Sequence, residues 1–134
     1  WANGPKTLHG FYSHGFPNCF HMGVLQNTLT PNFPHMLSEQ ARHITHVIGE
    51  ANLRQAQCVE PTAEAEAQWV QTVRDNALMN LQFRIDCTPG YYNGEGRAGA
   101  GAGIFDGLYG AGSVAFFGLV QAWRDGGMEG LELR

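Results

Sequence analysis

The chain has 134 residues, of which 15% are charged; 8 basic side chains stand against 12 acidic ones, for a net charge of −4. That balance excludes a strongly basic nucleic-acid binder. No apolar run approaches the ~18 residues of a membrane span, and no basic-then-apolar leader opens the chain. Cys19, Cys58 and Cys87 are odd in number and lie 39 and 29 residues apart. They make neither a CxxC motif nor a disulfide framework, so a reducing, cytoplasmic setting is expected. The length suits one domain or a piece of a larger one. The start at Trp1 rather than Met points to a piece.

Residues 1–35 hold no helix-length pattern and contain four of the six prolines. Gly15-Phe16-Pro17-Asn18 is a turn signal. Cys19-Phe20-His21-Met22, ending at Gly23, reads as a short buried strand. A helix is expected from about Asn32 or Pro34 to Ile48, with Pro34 in its first turn and Gly49 as its stop. Leu37, Ala41, Ile44 and Ile48 form its apolar stripe. A second helix starts at Thr62 as N-cap, with Glu64 and Glu66 in the first turn where the helix dipole favours anions. Trp69, Val73, Ala77 and Leu81 recur along it, which carries it to about Met79 or Leu81. Phe83 to Asp86 suits a strand. Gly94 to Gly112 then holds eight glycines in 19 residues. A last helix is expected from Ser113, as N-cap, to Asp125, with Phe116, Phe117, Val120 and Trp123 apolar and Gly126 as the stop. Met128 to Leu133 reads as a final short strand.

Four features bear on chemistry. Glu39, His43, His46 and Glu50 fall within about 60° of one another on the first helix, opposite its apolar stripe. Such a face can bind Zn²⁺ with a fourth ligand from elsewhere, but the same spacing describes a solvated helix face. Gly94-Glu95-Gly96-Arg97-Ala98-Gly99 matches GxGxxG, and Gly110 to Ala115 matches GxGxxA. Neither sits between a strand and a helix with an acidic residue about 20 positions further on, as a dinucleotide fingerprint requires. Cys87 is a nucleophile in principle and a packed thiol by default. Thr30-Pro31-Asn32-Phe33-Pro34 precedes a helix whose free amides favour a negative group. By themselves these features describe an α/β or α+β piece without an assigned reaction.

Three stretches carry a resemblance. Thr7-Leu8-His9-Gly10-Phe11-Tyr12-Ser13-His14-Gly15-Phe16-Pro17-Asn18-Cys19-Phe20-His21-Met22-Gly23 resembles the end of the FAD domain in Baeyer–Villiger-type, class B flavoprotein monooxygenases. Cys87-Thr88-Pro89-Gly90-Tyr91-Tyr92-Asn93-Gly94-Glu95-Gly96 is similar to the C-terminal loop of one subgroup, with Gly94 where that subgroup usually carries a second Asn. Ala122-Trp123-Arg124-Asp125-Gly126-Gly127-Met128-Glu129-Gly130-Leu131 also resembles that subgroup. The likeness covers nearly the whole chain and keeps the order of the motifs.

The resemblance implies an α/β fragment: the last strand and helix of an FAD-binding, two-dinucleotide-binding-type domain, then a mostly helical and glycine-rich C-terminal segment. Residues 1–50 would end the FAD domain, and 51–134 would pack on the cofactor and substrate region. Thr30, Pro31, Asn32 and Phe33 would contact FAD, mostly through backbone. Leu25, Gln26, Asn27, Thr28 and Leu29 would border the ketone pocket, with Cys87, Tyr91 and Tyr92. Cys87 stands about where better-known members carry a tryptophan near the nicotinamide cofactor. The implied reaction inserts one oxygen atom from O₂ beside a ketone carbonyl, using FAD and NADPH, and gives esters or lactones. The family's nucleotide fingerprints and active-site arginine would lie upstream of Trp1. The isolated chain is therefore expected to be inactive, with the upstream part of its own polypeptide as its partner. Two alternatives from other classes are a small metal-binding module using Glu39, His43 and His46, and a non-catalytic structural or interaction domain.

Overall fold

A computed structural model of the chain describes residues 4–76, 88–90 and 107–134. Its first segment is irregular but well anchored. At Leu8–Tyr12 the chain turns back on itself: Leu8 N–H donates to the Tyr12 carbonyl at 2.8 Å and Phe11 N–H to the Leu8 carbonyl at 3.0 Å. His9 and Gly10 take φ of 54° and 79° there. The turn buries Leu8, Phe11 and Tyr12 together. A side chain at position 10 would place its Cβ 2.1 Å from the Leu25 carbonyl oxygen. Only glycine tolerates both the left-handed backbone and that approach.

The strand expected at Cys19–Met22 is absent. A strand needs a neighbour to take its alternate donors and acceptors, and no strand lies beside this segment among the described residues. The His21 N–H donates to the Phe11 carbonyl at 2.8 Å and the Cys19 N–H to the Phe16 carbonyl at 3.3 Å, which is loop bonding.

Helix α1 spans Phe33–Leu53. Asn32 caps it, accepting from the His35 N–H at 3.1 Å. Gly49 does not stop it. A lone glycine in a helix costs only about 1 kcal/mol, and α1 runs another turn to Leu53 before Arg54 caps it. The buried stripe is Met36, Gln40, His43, Val47 and Ala51. The expected stripe lies one residue round: Ala41 is exposed and Ile48 is 42% exposed. Two polar residues sit in the buried stripe because each finds a partner inside, which removes the penalty of burial.

Strand β1 (Val59–Pro61) pairs antiparallel with β2 (Leu131–Leu133), in the register Val59 with Leu133, Glu60 with Glu132 and Pro61 with Leu131. The expected last strand therefore exists, in a shorter form, and β1, three residues with no alternating pattern, is its partner. Glu60 and Glu132 stand directly opposite, a repulsive arrangement. Arg134 relieves it, with Nη2 2.6 Å from Glu60 and Nε 3.1 Å from Glu132. Asn18 closes the outer edge of β1, donating its N–H to the Val59 carbonyl and accepting from the Val59 N–H, both at 2.9 Å.

Helix α2 spans Ala63–Asp75 with Thr62 as N-cap, whose Oγ1 accepts from the Ala65 N–H at 3.1 Å. Trp69 and Val73 are its buried residues, and it ends at Asp75, short of the expected bound. Ala77 and Leu81, the Phe83 to Asp86 strand and the first glycine fingerprint lie outside the described residues. Helix α3 spans Ser113–Asp125 and buries Phe116 and Val120. Its N-cap is Gly112, at φ 90°, not Ser113, and no side chain caps it. One core gathers these elements: Leu8, Phe11 and Tyr12 from the first segment, Val47 and Ala51 from α1, Val59 from β1, Trp69 and Val73 from α2, Phe116 and Val120 from α3, and Met128.

Candidate functional site: an anchored segment before helix α1

Residues 23–33 gather most of the positions singled out for cofactor and substrate. Four parts of the fold converge on this segment. From the first turn, Thr7 Oγ1 donates to Gln26 Oε1 at 2.8 Å. From α2, Trp69 Nε1–H donates to the Gln26 carbonyl at 2.8 Å. Ahead of α3, the Tyr109 N–H donates to the Asn27 carbonyl at 2.8 Å. From α1, Gln40 holds Gly23 at both ends: Oε1 accepts from the Gly23 N–H at 2.8 Å and Nε2 donates to the Gly23 carbonyl at 2.9 Å. Asn27 adds an internal brace, Nδ2–H to the Gly23 carbonyl at 2.9 Å and Oδ1 from the Leu25 N–H at 3.3 Å.

The consequence differs along the segment. Gln26, Asn27 and Thr28 are buried at 6%, 0% and 2% exposure. Asn27 spends both side-chain polar atoms on the scaffold and Gln26 its Oε1, so both side chains face the interior. Leu25 and Leu29 are half-buried and keep apolar surface on offer. Thr30 is half-buried, while Pro31, Asn32 and Phe33 are exposed, Phe33 at 43%. At the start of α1, Pro34 has no N–H, and His35 gives its own to Asn32. The Phe33 N–H is left as the first-turn donor with no acceptor among the described residues. Cys87, Tyr91 and Tyr92 lie outside the described residues.

The face of Glu39, His43 and His46, expected to be solvated, is corrected at His43. His43 is 1% exposed and points inward, with Nε2 2.7 Å from the Tyr12 hydroxyl. Burial, and behind it the Arg124 charge, push its pKa down to about 3. His46 is exposed on another side of the helix, and Glu39 pairs with Arg42 at 2.7 Å. Among the described residues no three His, Cys, Asp or Glu side chains cluster as metal ligands.

A second buried histidine, His9, packs on Trp123 as His43 does. His9 meets Trp69 and Trp123 edge-on, with ring centroids 4.7 Å and 4.9 Å away. Its Nδ1 has no hydrogen-bond partner, and burial lowers its pKa to about 4. His9 also lines an open cleft of about 550 Å³ between α2 and α3, with Gln68, Trp69, Thr72, Leu119 and Trp123. The indole of Trp69 thus has one face in this cleft and its N–H on the candidate segment.

The chain's relatives fit this architecture. No protein-family profile matches the chain. It is 40% identical over 135 residues to neopentalenolactone D synthase of Streptomyces avermitilis, covering 100% of this chain and 23% of that protein. It is 40% identical over 130 residues to a Baeyer–Villiger monooxygenase of Streptomyces coelicolor, covering 97% of this chain and 21% of that protein. The polycyclic ketone monooxygenase of Thermothelomyces thermophila superposes with a TM-score of 0.81 at 31% identity, over 96% of this chain and 21% of that one. The chain is similar, in sequence and in fold, to one segment of Baeyer–Villiger monooxygenases. It spans between a fifth and a quarter of the length of the relatives it matches. A cyclohexanone monooxygenase of Rhodococcus bound to NADP+ shares the fold alone, with a TM-score of 0.77 at 24% identity over 97% of this chain and 23% of that one. A relative from Hypomyces subiculosus, 36% identical over 135 residues, 98% of this chain and 22% of that protein, is named an FAD-binding monooxygenase.

The buried groups of the segment gave no sequence signal of their own. Gln40, Trp69 and Tyr109 act on it from 17 to 82 residues away, across the core. Only a helix stripe drawn through Met36 and Val47 would have placed Gln40 inside.

Proposed function

We propose that this chain is the C-terminal portion of an FAD- and NADPH-dependent monooxygenase that inserts one oxygen atom of O₂ beside a ketone carbonyl, giving an ester or lactone. The observation that carries the reading is the end-to-end likeness, 40% identity over the whole chain to one relative and a TM-score of 0.81 to a polycyclic ketone monooxygenase. In this reading residues 1–50 close the FAD-binding domain and 51–134 pack on the cofactor and substrate region. The setting is cytoplasmic, in keeping with the free thiols of Cys19 and Cys58. No helix among the described residues is long and apolar enough to cross a membrane.

The residues present fit one side of a flavin. The turn Thr30 to Phe33, exposed from Pro31 onward, offers an unused N–H at Phe33, at the positive end of a 21-residue helix. An electron-rich carbonyl edge would be held there through backbone. Bound FAD, reduced by NADPH, supplies the activation of O₂. The chain's own part is positional. Phe33 N–H and the α1 dipole favour negative charge on the ring system they face. Leu25 and Leu29 present apolar surface to the ketone and exclude water. Gln26, Asn27 and Thr28 hold that surface rigid from behind. Cys87, Tyr91 and Tyr92 complete the pocket in this reading, and ketone and O₂ are the small-molecule partners.

The test is the complete polypeptide that carries this chain. Purified, it should be yellow with one FAD per chain and should oxidise NADPH faster when a cyclic ketone is added. With ¹⁸O₂, one heavy oxygen should appear in the ester or lactone. A flavoprotein that consumes NADPH but labels no carbonyl-derived product would sink the assignment.

A further inference from the structure

We propose that Gln40 is a positioning residue that locks the substrate-facing segment to the flavin-facing turn; this rests on the monooxygenase reading above. Gln40 is 1% exposed. Its carboxamide is matched to a single residue: Oε1 takes the Gly23 N–H at 2.8 Å and Nε2 gives to the Gly23 carbonyl at 2.9 Å. Only one orientation of the amide satisfies both, since a flipped group would set donor against donor and acceptor against acceptor. Gly23 has φ 99° with open space around it, so its glycine serves conformation rather than close approach.

The geometry makes a closed loop. Gly23 is fixed to α1 at Gln40, and the chain rejoins α1 at Asn32, its cap. Both ends of residues 24–31 are thus tied to one rigid helix, about two turns apart. Thr7, Trp69 and Tyr109 tie the middle of the loop to other elements. The Gln40 amide is the tie that sets the loop's height along α1. Leu25 and Leu29 ride on the loop, while Phe33 rides on the helix. Their spacing is the spacing between substrate and flavin in the proposed reaction, where misplacement by about 1 Å can cost about a hundredfold in rate.

Two variants of the complete flavoprotein decide the matter. Gln40→Met keeps length and volume and removes both bonds. It should bind FAD and be reduced by NADPH as the wild type is, yet lose about tenfold or more in kcat/KM for the ketone. NADPH consumed without product should appear as hydrogen peroxide. Gln40→Glu separates positioning from packing. A protonated carboxylic acid still donates and accepts, whereas the carboxylate only accepts. Coupling of NADPH use to product should fall with rising pH in Gln40→Glu and stay flat across the same range in the wild type and Gln40→Met. Arg124 and His43 line the same small hollow as Gln40, with Glu39 at its rim. The guanidinium favours the carboxylate and burial favours the acid, so the midpoint is read from the titration. Wild-type coupling in a folded, flavin-loaded Gln40→Met overturns the proposal. So does a Gln40→Glu whose coupling tracks its melting temperature and not pH. If Gln40→Met fails to fold, the pH profile of Gln40→Glu decides alone. If the wild type oxygenates no ketone, the function reading fails, and amide exchange still judges the clamp. Exchange at Gly23 and Leu25 should then quicken about tenfold in Gln40→Met, and unchanged exchange refutes it.

Discussion

The Tyr12 hydroxyl lies 2.7 Å from His43 Nε2, and Arg124 Nη1 approaches the other ring nitrogen, Nδ1, at 3.4 Å. An arginine can only donate, so Nδ1 must accept and Nε2 must carry the hydrogen it gives to Tyr12. The relay works only with a neutral imidazole. Burial also raises the Tyr12 phenol far above its ordinary value, so both partners stay uncharged.

Acid should therefore loosen the fold. His9 and His43 have folded pKa values of about 4 and about 3. An unfolded histidine titrates near ~6.5. Above that pH neither state binds the proton and nothing is lost. Below it the unfolded chain takes up protons that the folded one refuses, so stability falls as pH falls, down to the folded values. Between about pH 7 and 5 each histidine should cost roughly 2 kcal/mol. Urea unfolding at several pH values checks this. His43→Phe lowers stability at every pH but should flatten the slope by about one proton, and an unchanged slope would refute the buried neutral pair.

Trp69→Phe should destabilise by about 1–3 kcal/mol, because the Gln26 carbonyl then loses its indole donor inside the core. The aromatic stack with Tyr109, at 5.4 Å between centroids, survives the change in large part. Equilibrium unfolding separates the hydrogen bond from the packing. A loss well under about 0.5 kcal/mol would show that water replaces the indole.

Gly10→Ala is expected to be among the worst single changes in the chain. It adds a methyl 2.1 Å from the Leu25 oxygen at a residue with φ 79°. Strain of about 1–3 kcal/mol from the backbone alone, plus the clash, should leave the protein insoluble or molten. Near-ultraviolet circular dichroism reads this directly. A soluble variant with a native spectrum would contradict the close approach of the turn to Leu25.

Zinc titration by calorimetry should give no saturable heat from the Glu39, His43 and His46 set. His43 would have to leave Tyr12 and swing out of the core to ligate. A stoichiometric tight site, lost in His43→Ala and His46→Ala alike, would revive the metal-binding alternative.

Expressed alone, the 134-residue chain should purify colourless and oxidise no NADPH in the presence of ketones. In the proposed reading it supplies one wall of a flavin site, and the pyrophosphate cradle belongs to the upstream part of the polypeptide. One wall gives too little contact to offset the entropy of fixing so large a ligand. Absorbance near the flavin bands with stoichiometric FAD would overturn this.

The sequence disclosed local grammar better than long-range pairing. Thr62 as N-cap, Pro34 in the first turn of α1 and the span of α3 follow from residues next to one another. The α1 stripe differs from the hydropathy pattern because hydropathy prefers Leu37, Ala41, Ile44 and Ile48 to a row holding Gln40 and His43. Those two are inside because Gly23 and Tyr12 meet them, and neither contact leaves a trace in periodicity. The returning strand at Cys19–Met22 failed for the complementary reason: a strand is made by its neighbour. Resemblance to whole motifs reached the monooxygenase relatives where spacing alone reached no chemistry.

The three-residue ribbon also governs how the molecule comes apart. Arg134 N–H donates to the Cys58 carbonyl and the Cys58 N–H to the Arg134 carbonyl, at 3.0 Å and 2.7 Å. Its side chain meets Glu60, whose other oxygen takes the Gly15 N–H at 2.8 Å. Peeling away the final residues therefore unbuttons three distant stretches at once, around residues 15–18, 57–61 and 131–134. They make one cooperative opening unit, and fraying should begin with all three in step rather than at the chain end alone.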